Sequence, residues 1–194
     1  MNIGVFGGTF NPPHIGHLIV AEHAREHLGL GRVLFVPAAI PPHKQGVDIV
    51  EPRHRLAMVE CAVKGNSRFA AADLELRRGG VSFTVETLEA LKGAHPGDSL
   101  TLLIGADNLV EFAAWREPER ILGLADLVVL SRPGFPDQTL QHPLRRSFST
   151  CRVPAIEIES NQIRRRVREG KSIRYLVPEE VRSYIEKHRL YIGG

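Results

Sequence analysis

The sequence predicts an α/β fold: one parallel, doubly wound sheet with helices on both faces, in a single domain. Three observations point there. Short continuous apolar runs alternate with helical patterns, as strands buried on both faces do. Residues with special chemistry gather where those runs end: Gly7, Pro37, Gly105 and Ser131 follow four of them directly, and Ser160 lies two residues beyond a fifth. Ligands of open α/β sheets bind at such strand ends, near a topological switch point. Finally, 194 residues supply one well-buried domain rather than two. The expected arrangement is Rossmann-like over residues 1–194, with a C-terminal helical part from about 160 to 194 packed on the rest.

The elements follow in order. Ile3 to Phe6 is a strand, and a helix runs from about Ile15 to Leu28, stopped by Gly29 and Gly31. Val33 to Val36 is a second buried strand by its length and branching. A polar, proline-rich loop, Pro37 to Pro52, carries Pro41-Pro42-His43-Lys44. Pro52 precedes a helix from Arg53 to Lys64 whose apolar stripe is Leu56, Val59, Ala62 and Val63. Phe69 to Leu76 reads as extended, and Thr84 to Leu91 as a helix with Thr84 as N-cap. Leu100 to Ile104 is the third buried strand and ends at Gly105-Ala106-Asp107. Two short helical segments around Trp115 precede a fourth strand, Leu127 to Leu130. Residues 131–150, rich in Pro and Gly and without periodicity, read as a long surface loop. Val153 to Ile158 is the fifth strand, and helices from about Ser160 to Arg168 and Pro178 to His188 finish the chain.

Bulk properties narrow the class. A hydrophobic fraction of 43% and a charged fraction of 24% are ordinary for a soluble globular protein. A formal charge of +3 suits an anionic small substrate as well as nucleic acid, and decides nothing alone. Cys61 and Cys151 lie far apart and outside any CxxC spacing, so two reduced, packed thiols are expected rather than a disulfide framework or a thiolate zinc site. The chain opens on strand and motif, without a basic region and apolar leader, and its apolar runs fall short of the roughly 20 residues that span a bilayer. A cytoplasmic protein without membrane contact is the expectation.

The chemistry concentrates in residues 7–17, Gly-Gly-Thr-Phe-Asn-Pro-Pro-His-Ile-Gly-His. Two glycines after a strand let the backbone turn tightly and approach a ligand. His14 and His17 then sit where a helix begins, where N–H groups and the helix dipole favour anions. A metal pair on a helix uses spacing four with a carboxylate nearby, which this segment lacks, so no protein-held metal is expected. Imidazoles placed here donate to phosphate oxygens, most strongly when charged. Ser160 is a good N-cap, and Arg164, one turn in, can reach an anion near that helix start. Asp107 can cap the helix after Gly105 or accept from ribose hydroxyls. Trp115, the single tryptophan, reads as core packing. The run Arg164, Arg165, Arg166 and Arg168 is a solvated basic face or an RNA patch, but aromatic residues for base stacking are absent nearby.

GGTFNPPHIGH resembles the signature of the nucleotidyltransferases, a glycine-rich turn followed by (H/T)xGH. Among these the chain is most similar to the bacterial nicotinate-nucleotide adenylyltransferases. The likeness spans nearly the whole chain: VPAAIPPHK at 36–44, HRLAMV at 54–59, SFTVETLEAL at 82–91, IGADN at 104–108, Trp115, SRPG at 131–134, SNQIRRRV at 160–167 and YLVPEEVRSYI at 175–185. It departs where the family pattern is ISSTxIR: Glu159 and Asn161 replace a serine and a threonine, while Ser160, Ile163 and Arg164 match.

The resemblance implies transfer of an adenylyl group from ATP to nicotinate mononucleotide, giving deamido-NAD and pyrophosphate in NAD biosynthesis. The mononucleotide phosphate would attack the α-phosphorus in line, with no covalent intermediate. It implies that Gly7, Gly8, Thr9, Phe10, His14, His17, Gly105, Asp107, Ser160, Ile163 and Arg164 bind ATP. His43, Lys44, Thr84, Trp115 and Arg132 would bind the mononucleotide. His17 would stabilise charge at the α-phosphate and His14 would hold the triphosphate. Arg164 and Mg²⁺, the latter carried mainly on ATP phosphates, would counter the leaving pyrophosphate. Neither nucleic acid nor membrane is an expected partner, and a homo-oligomer stays open. The alternatives are another nucleotidyltransferase, acting on nicotinamide mononucleotide, phosphopantetheine or a polyol phosphate, and a non-catalytic nucleotide- or RNA-binding module. The HIGH motif of class I aminoacyl-tRNA synthetases also matches residues 14–17, but the chain is too short for anticodon recognition. The missing GxGxxG after the first strand argues against a nicotinamide-dependent dehydrogenase.

Overall fold

Strands β1 (Asn2–Gly8), β2 (Arg32–Pro37), β3 (Phe69–Ala71), β4 (Ser99–Gly105), β5 (Asp126–Ser131) and β6 (Ser149–Arg152) form one sheet in the computed structural model, which describes residues 1–41, 49–131 and 147–193. Their order is β3-β2-β1-β4-β5-β6 and every pairing is parallel. The order reverses between β1 and β4, so the switch point lies where Gly7–Gly8 and Gly105 end adjacent strands. The expected doubly wound fold is therefore present.

Helices α1 (Ile15–His27), α2 (Pro52–Val63), α3 (Leu74–Arg78), α4 (Thr84–Ala94), α5 (Ala106–Glu111), α6 (Pro118–Leu124), α7 (Ser160–Arg168) and α8 (Glu179–Lys187) cover the sheet, with a 3-10 turn at Phe112–Ala114. Ile3, Val5, Leu102 and Ile104 point into a core shared with Val85, Leu88 and Leu91 of α4, Phe112 and Ile121. Val33, Phe35 and Leu103 pack on the other face against Ala21 and Ala24 of α1 and Val59 and Val63 of α2. A third cluster joins Met58 of α2 to Ile163, Val181 and Ile185, which seats α7 and α8 against α2. The two thiols are unbridged, and burial pushes both above their usual range.

Several boundaries differ from expectation for local reasons. Phe69–Leu76 is not extended throughout: β3 is an edge strand that pairs with β2 alone over Phe69–Ala71, and Leu74 already begins α3. The last strand is Ser149–Arg152 rather than Val153–Ile158. Its ladder closes with Val153 N–H donating to Ser131 at 2.9 Å, and Pro154, which has no N–H, follows. Thr84 and Ser160 are the first helical residues, and Phe83 and Glu159 are the N-caps. α2 has Pro52 at its start, but its buried residues are Arg55, Met58, Val59 and Val63, so its inner face includes a charge.

Candidate active site

The chain leaves β1 through Gly8 into a turn that holds Phe10 at φ 48°. His14 then caps α1 in an extended conformation, φ −140° and ψ 169°. The three-residue spacing of the histidines has a physical reason. The N–H of His14 donates to Nδ1 of His17 at 3.1 Å, the reciprocal half of a capping box in which the third helical residue reaches back. A main-chain N–H can only donate, so Nδ1 of neutral His17 carries no proton and the ring's proton sits on Nε2. The two rings stack at 3.6 Å. Gly16 between them permits this, because a Cβ there would meet His14 Nδ1 at 3.0 Å and Ile156 at 3.2 Å.

The start of α1 is less open to a ligand than its sequence suggests. Ile15 N–H donates to the carbonyl of Leu176 at 3.0 Å and His17 N–H to that of His14 at 3.0 Å. Two early N–H groups of α1 thus serve the chain itself, so imidazole donors carry more of an anion's binding than the sequence alone suggests.

The turn is tied down from distant parts of the chain. Arg164, 7% exposed, donates to Asn11 O at 2.8 Å and also bonds the Asn161 side chain. Asn161 therefore fills the family's threonine position with an acceptor long enough to meet that guanidinium. Ser160 Oγ donates to Pro12 O at 2.9 Å, and Tyr191 OH to Asn11 Oδ1 at 2.9 Å. The turn's first carbonyl, Thr9 O, accepts from Arg55 at 3.0 Å. Phe10 and Ile163 place their side chains in the core, Phe10 edge-on to His17 at 5.1 Å and Ile163 fully buried. They support the turn and α7 with their bulk.

At the end of β4, Gly105 is the N-cap of α5, and Asp107 in its first turn is exposed. Asp107 therefore does not cap this helix, and its carboxylate stays available to hydroxyls. A Cβ on Gly105 would collide with Asp107 Oδ1, so the glycine is what lets that side chain fold back toward the strand end.

A cleft of about 540 Å³ opens at the switch point. Gly7, Gly8, Thr9, Gly105 and Asp107 border one part of it, and Thr84, Phe83 and Trp115 another. Trp115 rests on Phe112, ring centres 5.3 Å apart, and belongs to the core's edge while still lining the cleft. Arg116 stands 4.6 Å over the Phe83 ring and pairs with Glu86. His17 lies beside Phe6, a cleft-lining residue, at 6.2 Å between rings. His43, Lys44 and Arg132 lie outside the described residues.

Sequence reasoning missed two residues here. Arg55 is fully buried beside the turn. Glu75 lines the cleft and accepts from Thr87 Oγ1 at 2.5 Å. The signal for Arg55 was its helical register: it falls three and four residues before Met58 and Val59, on the inner face of α2. Among the described residues no group of three or more His, Cys, Asp or Glu side chains can hold a metal, and no helix is long and apolar enough to cross a membrane.

Comparison with known proteins agrees with the fold and gives the family. Residues 5–166 match the family described as cytidylyltransferase-like. A Salinibacter ruber protein described as a probable nicotinate-nucleotide adenylyltransferase is 44% identical over 191 residues, 98% of each chain. A Thermus thermophilus protein of the same description is 46% identical over 98% of this chain and 100% of its own length. Among solved structures, Plasmodium falciparum nicotinic acid mononucleotide adenylyltransferase complexed with NaAD superposes with a TM-score of 0.77 over 98% of this chain and 97% of that one, at 19% identity, which speaks for the fold.

Proposed function

The chain belongs to the cytidylyltransferase-like family, and from that premise we infer that it is a nicotinate-nucleotide adenylyltransferase, joining ATP to nicotinate mononucleotide to form deamido-NAD and pyrophosphate. The observation that carries this reading is that the likeness to relatives of that description runs end to end. It takes in the Thr84–Trp115 wall as well as the glycine turn.

The mononucleotide phosphate is already an anion, so the reaction needs no strong base; it needs two negative groups held in line. Gly7, Gly8 and Thr9 let the ATP phosphates approach the end of β1. His17, its proton fixed on Nε2, donates to the α-phosphate as charge builds there. His14 holds the triphosphate, and the buried charge of Arg164 favours the leaving pyrophosphate. Asp107 accepts from the adenosine ribose. Trp115 stacks on the pyridine ring, and the start of α4 at Thr84 receives the nicotinate carboxylate. His43, Lys44 and Arg132 take the mononucleotide phosphate. Magnesium, when bound, would come with ATP rather than be held by protein carboxylates, and would neutralise phosphate charge beside His14 and Arg164. The site asks for neither nucleic acid nor membrane, and the cytoplasm supplies both substrates.

A pyrophosphate-release assay tests this. Nicotinate mononucleotide with ATP is expected to give the highest kcat/KM among nicotinate and nicotinamide mononucleotides, phosphopantetheine and a polyol phosphate, each with ATP and CTP. A higher value for another pair overturns the substrate assignment. Tight RNA binding that falls steeply with salt, without turnover, overturns the enzyme reading.

A further inference from the structure

Arg55 is a charged side chain with no surface: its exposure is 0%. Nε donates to Val50 O at 3.1 Å, Nη1 to Thr9 O at 3.0 Å and Nη2 to Ala39 O at 2.9 Å. Burial pulls the guanidinium below its ordinary range, with nearby Tyr191 and Glu75 acting in the opposite direction. Burying a cation against neutral carbonyls is a poor way to stabilise a fold, since a well-packed apolar side chain does as well or better. Its use must lie in what the three carbonyls belong to.

They belong to three different segments. Thr9 is in the ATP turn. Ala39 and Val50 bracket the segment that carries His43 and Lys44. From Ala39 the connection continues, for its N–H donates to Ser82 Oγ at 2.8 Å, and Ser82 N–H donates to Ile40 O at 3.0 Å. Ser82 stands two residues before Thr84 and lines the cleft. One guanidinium thus joins the wall that holds ATP to the walls that hold the mononucleotide. Each carbonyl is met by a different nitrogen of the planar fork; an ammonium also carries three donors, but all on one nitrogen, and cannot reach acceptors spaced around a guanidinium.

We infer that Arg55 is a positioning residue that sets the spacing between the ATP turn and the mononucleotide wall. The inference rests on the adenylyl-transfer reading. Each substrate binds to its own wall, so the spacing matters chiefly when both must be in line. A displacement of about 1 Å between reacting groups costs on the order of 10²-fold in rate.

The test is Arg55→Lys, which keeps the charge and loses the fork. Competent sites are counted by titration with deamido-NAD, so that kcat refers to folded enzyme alone. The expected result is a kcat lower by about 10²-fold, with KM for ATP and for nicotinate mononucleotide each within about threefold of wild type. A kcat per competent site within about threefold of wild type overturns the inference, because a merely structural arginine would change the number of sites and not their rate. Should Arg55→Lys fail to fold, Ser82→Ala decides. It removes the side-chain acceptor of Ala39 N–H one step further on and leaves the main-chain bond from Ser82 N–H to Ile40 O, and is expected to lower kcat about tenfold at unchanged KM; an unchanged kcat overturns the inference. Failure of the underlying reading shows differently, as wild-type enzyme that releases no pyrophosphate from this substrate pair.

Discussion

The two glycine-ended strands at the switch point, β1 and β4, hand over to their helices in opposite ways. After β1 the chain makes a six-residue excursion, from Thr9 to His14, before α1 begins. That excursion is held by side chains from far along the sequence: Arg55, Ser160, Arg164 and Tyr191 all bond its polar atoms. After β4 the chain enters α5 directly at Ala106, and Asp107 stands exposed in the first turn. The difference follows the work each turn does. Stabilising a charge that exists only in the transition state demands donors fixed in advance, and fixing them takes buried hydrogen bonds. A carboxylate that accepts from ribose hydroxyls acts alike in ground and transition states, so a looser mounting is enough.

The largest expected effect breaks the β1 side at its centre. His17→Ala removes the Nε2–H donor and also the acceptor that holds His14 N–H. Turnover is expected to fall by about 10²–10³-fold or more, as when one preorganised oxyanion donor is lost. Near wild-type turnover would take His17 out of the chemistry and leave the two turns equivalent. Gly16→Ala comes next and disturbs geometry without deleting a donor. Its Cβ would press on His14 Nδ1 from 3.0 Å, tilting the ring away from its partner. A loss of about tenfold to 10²-fold in kcat is expected, in line with misplacing a positioned group. Steady-state kinetics at saturating ATP would show it, and an unchanged kcat would mean that the stacking of the rings is incidental.

The contrast between the turns also explains what was legible from sequence. The β4 turn is local, so Gly105 and Asp107 could be placed by counting from an apolar run. The glycine turn and the histidine spacing were equally visible. The braces of the β1 turn were not, because they join residues up to 180 apart in sequence. Arg55 was hidden by a sound general expectation, that a charge on a helix faces water; only its register with Met58 and Val59 argued otherwise. Misplaced strand ends have a different origin. β6 is an edge strand, Ser149 to Arg152, with Cys151 as its one buried residue and β5 as its partner, and the apolar residues Val153, Ile156 and Ile158 just after it imitate a strand that Pro154 interrupts. β3 offers three residues, too few for any period.

Trp115→Ala sharpens the comparison from the other wall. Trp115 is mounted on Phe112 by packing, and its proposed task is to bind a ring in the ground state. Loss of a stacked aromatic face is worth about 0.5–1.5 kcal/mol beyond area, so KM for nicotinate mononucleotide is expected to rise up to about tenfold with kcat little changed. An unchanged KM assigns Trp115 to packing alone. A fall in kcat equal to that of His17→Ala would erase the division of labour between the walls.

The smallest expected effect probes how far the β1 turn is over-determined. Tyr191→Phe deletes the bond to Asn11 Oδ1, yet that oxygen still accepts from Val50 N–H at 3.3 Å, and Asn11 O keeps Arg164. One tie is lost and the others remain. Removing a single hydrogen bond between neutral groups costs about 0.5–1.5 kcal/mol of stability, readable as a lower urea midpoint at unchanged slope. Turnover should stay within about threefold of wild type, because the histidines are still held by Arg55, Ser160 and Arg164 through the backbone between Thr9 and Pro12. If the rate instead collapses while the midpoint holds, the ties act singly rather than together, and the β1 turn is as dependent on one contact as Asp107 is on its own.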